Sequence, residues 1–347
     1  METVWFCVVA VMIALYVVLD GFDLGAGIVH LFVARTDEER RKVLRSIGPV
    51  WDGNEVWLLA GGGTLYFAFP ALYASSFSGF YLPLMMVLWL LIARGVAVEL
   101  RNHLSTATWT PIWDAAFAVS GILLAIFFGA ALGNVIRGVP LDEKGMFFLP
   151  LWTHFGVTGE VGILDWYTVL IGVFAFVTLM VHGSLWLAYK NDGDINIRAL
   201  RIARGGWHVL AACMIAATYF TFRVQPQVPL NFVTHRWGYV FPALAIIGLV
   251  GMRRGLHGWP SEGRAFLASC LFIIGMLTSA VFGLYPNVLP ANTGPQFSLT
   301  VYNASAPPYG LKVGLAWFIP GILLACGYTI FVYRHFAGKV KLEEQGY

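Results

Sequence analysis

The sequence predicts an all-α protein that crosses a membrane several times, and three observations lead to this fold class. Hydrophobic residues make up 58% of the 347 residues and charged residues only 12%, about half the charged share of a typical soluble domain. Apolar segments of about 20 residues, the length that crosses a bilayer as a helix, follow one another along the chain. The 13 Trp and 14 Tyr residues are typical of the aromatic belts at membrane interfaces. The net charge of +3 is small and gives no indication of nucleic-acid binding.

We predict about nine spans within a single transmembrane domain, residues 1–347. The spans cover residues 3–33, 52–72, 77–99, 111–135, 162–188, 199–223, 236–252, 263–286 and 309–334. The first is longer than a bilayer requires, so it is expected to tilt, to kink at Gly21 or Gly25, or to extend into the cytoplasm. The chain begins without a basic segment or a small-residue cleavage site, so we interpret its first span as a retained helix.

The basic residues predict the orientation, because cytoplasmic connections carry more Lys and Arg than outer ones. The segment between the first two spans, ARTDEERRKVLRS, is strongly basic, whereas the next connection, PALYASS, has no charge. The same alternation continues to the end of the chain. Of the 22 basic residues, the side opposite to the first segment holds only Arg137, Lys144, Arg223, Arg236 and Lys312. We therefore expect the N-terminus outside and the C-terminus in the cytoplasm.

Seven charged residues lie in or at the ends of the first four spans, where each costs about 2.5–3.5 kcal/mol in hydrocarbon. They are Asp20, Asp23, Asp52, Glu55, Arg94, Glu99 and Asp114. With the predicted orientation, all seven fall in the cytoplasmic halves of their spans. Buried carboxyl groups that lie close together can exchange protons near neutral pH. We therefore predict a proton entry path from the cytoplasm into the helix bundle.

The same residues allow a second interpretation, in which they are helix caps and ion pairs. One stripe of the first helix holds Asp20, Asp23, Gly27 and His30. His30 is expected at the water interface. Asp52 could cap the second helix, and Arg94 could neutralise Asp23 or Glu99.

The histidines offer only one pair that could hold a haem. Of the eight histidines, His182 and His208 lie within spans on adjacent helices, but each is near a helix end beside a Trp, so interfacial anchoring is the favoured interpretation. The four cysteines lie singly in apolar segments, so we expect no disulfide framework and no metal site. Asn134, at the outer end of the fourth span, is expected to pack against a neighbouring helix, or else to hydrogen-bond a quinone.

Five motifs are shared with a known family. They are LDGFDLGAG, RRKVLRSIGPVWDGNEVWLLAGGGTLYFAFPALYASSFSGFY, WDAAF, ALGNVIRGVPLD and YPNVLPANTGPQFSLTVYNASAPPYGLKV. In this order and spacing they resemble subunit II of the cytochrome bd-type quinol oxidases, including the cyanide-insensitive members, nearly end to end. The chain is shorter than some relatives, chiefly in the outer connection VQPQVPLNFVTHRWGY. Contacts that those relatives make through longer outer loops are therefore not expected in this chain.

The resemblance implies nine helices, arranged as two four-helix bundles plus one peripheral helix, in the bacterial cytoplasmic (inner) membrane. It implies a complex that couples oxidation of ubiquinol or menaquinol to reduction of dioxygen to water. Protons for water come from the cytoplasm and quinol protons leave outside, which builds a proton-motive force. Subunit I, the implied partner, holds two haems b and one haem d, so this chain is expected to carry no haem ligand.

The resemblance also assigns roles to single residues. Asp23 of Gly-Phe-Asp and Asp52 of Trp-Asp-Gly-Asn correspond to acids proposed for proton delivery, and Trp57 falls where an oxygen-entry tunnel lies in some members. Some members hold a structural quinone in this subunit, and a small single-helix subunit is a further expected partner. Two other functions stay open, a secondary transporter that uses the intramembrane acids and a haem-b membrane anchor of a dehydrogenase. A transporter would more often show related halves and broken helices.

Overall fold

The computed structural model describes residues 1–104, 106–257 and 261–341. Its helices are α1 (Glu2–Val33), α2 (Asp37–Ile47), α3 (Trp51–Ala68), α4 (Pro70–Gly79), α5 (Tyr81–Leu100), α6 (Trp109–Arg137), α7 (Trp166–Lys190), α8 (Gly193–Val224), α9 (Gln227–Thr234), α10 (Val240–His257), α11 (Glu262–Leu284) and α12 (Pro308–His335). Two 3-10 turns, Arg236–Tyr239 and Pro295–Phe297, accompany them. An antiparallel pair of short strands, β1 (Asn287–Leu289) and β2 (Leu299–Thr300), lies in the connection before α12.

The all-α, multi-span architecture is confirmed, because eight helices of the described part are long and apolar enough to cross a membrane. The predicted second span, 52–72, falls instead on α3, which has 18 residues and is not one of the eight. Its helix ends at Ala68, so the predicted continuation to residue 72 is wrong. Pro70 explains the difference, since the residue before a proline is disfavoured in a helix. The count of nine spans and the orientation stay predictions.

A helix that the sequence analysis did not predict occupies the basic connection after α1. Thr36 caps α2, with its hydroxyl accepting from Glu39 N and the Glu39 side chain accepting from Thr36 N, each at 3.2 Å. The pKa of Glu39 is lowered overall. Burial favours a higher pKa, but hydrogen bonds from the Arg35 N–H and the Arg198 guanidinium stabilise the carboxylate and together outweigh burial. This capping box, together with the buried face of α2, fixes the helix against the bundle.

Two groups of helices form the bundle. In the first, α1 packs against α3 and α6, and α5 packs against α6; in the second, α7 packs against α8 and α11, and α10 packs against α11. The two groups are joined by α6, which packs against α7, and by α1, which contacts α7 and α11. α12 lies at the periphery, and Leu311 is the one buried residue along this fully described helix. The division into two four-helix bundles and one peripheral helix stays a prediction.

The inner part of α1 approaches α7 closely enough to exclude any side chain at Gly25. A Cβ atom there would lie 2.1 Å from the carbonyl oxygen of Leu179 and 2.7 Å from Cα of Gly183. Small residues allow such backbone contacts between membrane helices. This contact places Asp20 and Asp23 in the middle of the bundle rather than on its surface.

We expect Gly25→Ala to lower the free energy of unfolding by about 1–3 kcal/mol or more, the cost of overpacking a close-packed interior. Gly205→Ala in α8 is the matched control, because in the described part of the chain a Cβ there meets no atom within 4 Å. The measurement is the thermal unfolding temperature of the purified protein in detergent, followed by circular dichroism. Equal temperatures for the two variants would contradict the close approach.

Candidate functional site

Side chains of α1, α3, α5 and α12 meet in a buried group at the end of the bundle predicted to face the cytoplasm, which we call the inner end. This group, the Arg94 cluster, consists of Tyr16, Asp20, Asp23, Asn54, Glu55, Arg94 and Tyr333. Arg94 donates from Nη1 to Asp20 Oδ1 (2.6 Å) and from Nη2 to Glu55 Oε2 (2.8 Å). The side chains of Arg94 and Asp20 are buried, whereas that of Glu55 is 24% exposed. The guanidinium therefore links a carboxylate of α1 to one of α3.

Asp23 belongs to the same cluster but does not contact Arg94 through a hydrogen bond. Asn54 Nδ2 donates to Asp23 Oδ2 at 2.7 Å and to the carbonyl oxygen of Leu19 at 3.2 Å. The hydroxyl of Tyr333 donates to Asn54 Oδ1 at 2.8 Å. A chain of two hydrogen bonds therefore runs from α12 through α3 to the buried carboxyl of α1.

Four buried polar atoms of the Arg94 cluster have no hydrogen-bond partner among the described residues. They are Tyr16 Oη, Asp20 Oδ2, Asp23 Oδ1 and Arg94 Nε. In folded proteins, buried polar atoms are nearly always partnered, by protein or by water. The two carboxylate oxygens among them are atoms at which a proton can be bound without breaking an existing hydrogen bond.

A second buried group lies nearer the inner surface, where α1, α2, α5 and α6 meet. In this Asp114 cluster, Asp114 accepts from Arg40 Nη1 (2.8 Å) and Arg101 Nε (3.0 Å), and His30 Nε2 lies 2.8 Å from its Oδ1. Arg101 also donates to Asp37 of α2 at 2.7 Å. His30 is fully buried, so the expectation that it lies at the water interface is wrong. Asp114 anchors α2 to the bundle through two arginines.

The seven predicted charged residues therefore do not form one site. Asp20, Asp23, Glu55 and Arg94 meet in one cluster, and Asp114 lies in the other. Asp52 and Glu99 are exposed on α3 and α5, and their carboxylates make no hydrogen bond within the described ranges.

Two details of the ion-pair interpretation are also corrected. Arg94 pairs with Asp20 and Glu55, not with Asp23 or Glu99. Asp52 does not cap its helix, because α3 begins after Val50 without a side-chain capping bond. Asp52 is the second residue of α3, two positions past the N-cap residue Val50.

Six further residues of the two clusters were not predicted from the sequence. They are Tyr16, Asp37, Arg40, Asn54, Arg101 and Tyr333. Asn54 lies in the Trp-Asp-Gly-Asn motif and could have been found there. For Tyr333 the sequence carries no signal, since it comes from a helix 279 positions away.

His182 and His208 do not fit a shared haem. Both ring nitrogens of His182 are engaged, Nδ1 with Ser269 Oγ (2.7 Å) and Nε2 with the carbonyl oxygen of Val18 (2.9 Å). His182 is fully buried, so interfacial anchoring is the wrong interpretation for it, whereas His208 is exposed. Of these two histidines, therefore, neither is arranged as an axial ligand.

Asn134 and Trp57 take up packing positions. Asn134 Nδ2 donates to the carbonyl oxygens of Ala130 (2.8 Å) and Ile163 (2.9 Å), and its Oδ1 accepts from Arg137. These contacts agree with the packing interpretation of Asn134. Trp57 of α3 is buried in an apolar group with Met12, on the side of the Arg94 cluster towards the outer end.

Fold and site together define a multi-pass membrane protein with a buried charge cluster. Across the described ranges, no group of three or more His, Cys, Asp or Glu side chains is suited to a metal ion. The family profile described as "Cytochrome bd terminal oxidase subunit II" matches residues 1–336. The chain therefore belongs to the cytochrome bd terminal oxidase subunit II family, which confirms the resemblance.

Curated relatives and a solved structure extend over nearly the whole chain. The "Probable cytochrome oxidase subunit 2" of Haemophilus influenzae is 29% identical, over 97% of this chain and 94% of the relative. The "Cytochrome bd ubiquinol oxidase subunit 2" of Bacillus subtilis is 28% identical, over 99% and 98%. A bd oxidase structure from Geobacillus thermodenitrificans matches with a TM-score of 0.76 at 19% identity, covering 96% of this chain and 98% of the other. At that identity the structural likeness shows the fold alone.

Membership of this family implies a respiratory quinol oxidase complex in which the chain stands beside a subunit I. Haem and quinol belong to that complex. Neither the transporter nor the dehydrogenase anchor agrees with this membership.

Proposed function

We propose that this subunit supports subunit I in oxidising quinol and reducing dioxygen to water, and that it carries part of the cytoplasmic proton path. The observation that carries the proposal is the Arg94 cluster, in which two buried aspartates each keep one oxygen without a hydrogen-bond partner among the described residues. Charged groups inside a membrane are costly and commonly mark proton relays. Arg94 balances the charge of Asp20, which leaves Asp23 as the carboxyl best suited to load and release a proton.

The reaction requires such a path. Two quinols lose four electrons and four protons to become two quinones, and one dioxygen takes up four electrons and four protons to become two waters. If quinol protons leave outside and the protons for water come from the cytoplasm, charge separation follows without a pump. A route from the inner end then contributes to the proton-motive force.

The exposed acids of α3 and α5 support a docking face for subunit I. Asp52 and Glu99 lie exposed near the inner ends of their helices, where a polar partner surface can bond their carboxylates. On the same helix α3, a Cβ at Gly62 or Gly63 would meet no atom of the described residues within 4 Å, so a partner helix can approach closely there. We place subunit I against this face, with Asp52 at the passage from the partner to the Arg94 cluster.

The cofactors of the complex would lie with the partner. Haems b and d are assigned to subunit I, as the family resemblance implies. The role of Trp57 in oxygen access, a structural quinone, a small single-helix subunit and a location in the bacterial inner membrane are further parts of the proposal. Ubiquinol and menaquinol are both compatible with it.

We expect Asp52→Asn in the assembled complex to slow oxygen reduction by about 10-fold, less than the loss of a general acid or base at a reacting centre, with haem content largely retained. Asp194→Asn is the matched control, since Asp194 is also an exposed acid in the first turn of a helix, α8. The measurements are oxygen consumption and proton uptake in proteoliposomes. Normal values for both would contradict a proton role for Asp52, and loss of assembly would indicate a docking role alone.

A further inference from the structure

We propose that Tyr333 is a positioning residue for Asp23, acting through the amide of Asn54. In this arrangement Asp23 Oδ2 is held by a fixed donor, and Asp23 Oδ1 is the atom that binds and releases the proton. The inference rests on the proposed proton path, and it assigns to α12 a part in that path.

The orientation of the Asn54 amide follows from its neighbours. The backbone carbonyl of Leu19 can only accept a hydrogen bond, so the NH2 group of Asn54 must face it, as observed at 3.2 Å. The same nitrogen donates to Asp23 at 2.7 Å. Asn54 Oδ1 then points away from Asp23 and needs a donor, which the Tyr333 hydroxyl supplies at 2.8 Å. Leu19 and Tyr333 together hold the amide with its donor towards Asp23.

This geometry distinguishes the two oxygens of Asp23. Oδ2 already accepts a hydrogen bond, so a proton placed there would oppose the Asn54 N–H. Oδ1 is buried and has no partner among the described residues, so a proton there displaces nothing. An amide nitrogen is a poor proton carrier, so Tyr333 does not pass a proton through Asn54. Its role is to hold the Asn54 amide so that Oδ2 of the carboxyl stays bonded and Oδ1 stays available for a proton.

Tyr333 stands at the boundary between this cluster and a cavity of about 630 Å³. The cavity is lined by Tyr333 and by basic residues of the inner end, among them Arg45, Lys190 and Lys339. The ring of Tyr333 packs edge-on against Phe22 and Trp186. A phenylalanine can keep these ring contacts and lose only the hydroxyl, which makes Tyr333→Phe a clean test.

We expect Tyr333→Phe in the assembled complex to slow oxygen reduction about 2- to 10-fold, the worth of one neutral hydrogen bond. Asn54→Ala should slow it more. The double variant should match Asn54→Ala alone, because a residue that acts only through Asn54 has nothing left to position. Multiplied effects in the double variant would overturn the inference. Tyr328→Phe, an exposed tyrosine of the same helix, is the control.

A spectroscopic measurement tests the same inference without turnover. The carboxyl C=O infrared band of Asp23, identified as the band that Asp23→Asn removes, should shift in Tyr333→Phe and stay unchanged in Tyr328→Phe. An unchanged band in Tyr333→Phe would overturn the positioning role. If Asp23→Asn leaves turnover normal, the proposed proton path fails whatever Tyr333→Phe does; if only Asp23→Asn slows turnover, the path stands and the role of Tyr333 fails.

Discussion

Replacing Asp23 with Asn is expected to slow oxygen reduction by the assembled oxidase about 100-fold, the lower range for loss of a general acid or base, with haem content retained. Asparagine has nearly the same shape, and its side-chain oxygen can still accept from Asn54 Nδ2, which donates to Asp23 at 2.7 Å. It has no carboxyl, so it cannot bind and release a proton. The measurements are oxygen consumption, proton uptake from the inner side of proteoliposomes and the haem absorbance spectrum.

Two controls separate proton transfer from structure. Asp23→Glu keeps the carboxyl group and moves it by one methylene, so it should recover part of the activity. An unchanged thermal unfolding temperature in Asp23→Asn would show that the bundle is intact. Wild-type oxygen consumption together with wild-type proton uptake in Asp23→Asn would contradict the proton role of this residue.

The sequence was sufficient for the fold because membrane spans are long apolar segments whose signal is local. Seven predicted spans coincide closely with single helices, and an eighth, 236–252, spans a 3-10 turn and α10. The second span failed at Pro70, where local chemistry overrides apolar length. α2 could not be predicted from apolar length because its sequence, DEERRKVLRSI, is mostly charged, although Thr36 and Glu39 have the spacing that defines a capping box.

The site was only partly predictable, because a sequence shows which charges are buried but not which of them meet. Spacing placed Asp20 and Asp23 on one stripe of α1, yet it could not show that Arg94 would pair with Asp20 while Asn54 bonds Asp23. Those pairings depend on how α1, α3 and α5 are rotated against each other. No local sequence pattern could predict the contact of Tyr333 with Asn54, because only the tertiary fold brings the two residues together.

Replacing Arg94 with Met is expected to destabilise the subunit by about 3–5 kcal/mol, because removing one partner of a buried ion pair leaves an uncompensated charge. Asp20 is fully buried and bonds Arg94 at 2.6 Å, so its carboxylate would be left without a cation in the interior. Glu55, 24% exposed, can turn towards solvent and contributes less. The measurements are the yield of assembled complex and its thermal unfolding temperature.

A matched control and a compensating change make this test specific. Arg41→Met removes a surface ion pair, in which the Arg41 side chain is 49% exposed and that of Asp37 is 55% exposed. This change should lower the free energy of unfolding by only about 0–1 kcal/mol. Combining Arg94→Met with Asp20→Asn removes the stranded charge, so most of the lost stability should return. An equal loss in the single and double variants would contradict the ion-pair account. If the double variant regains the stability but still reduces oxygen slowly, its loss of activity does not come from instability. Arg94 and Asp20 would then also serve the proton path.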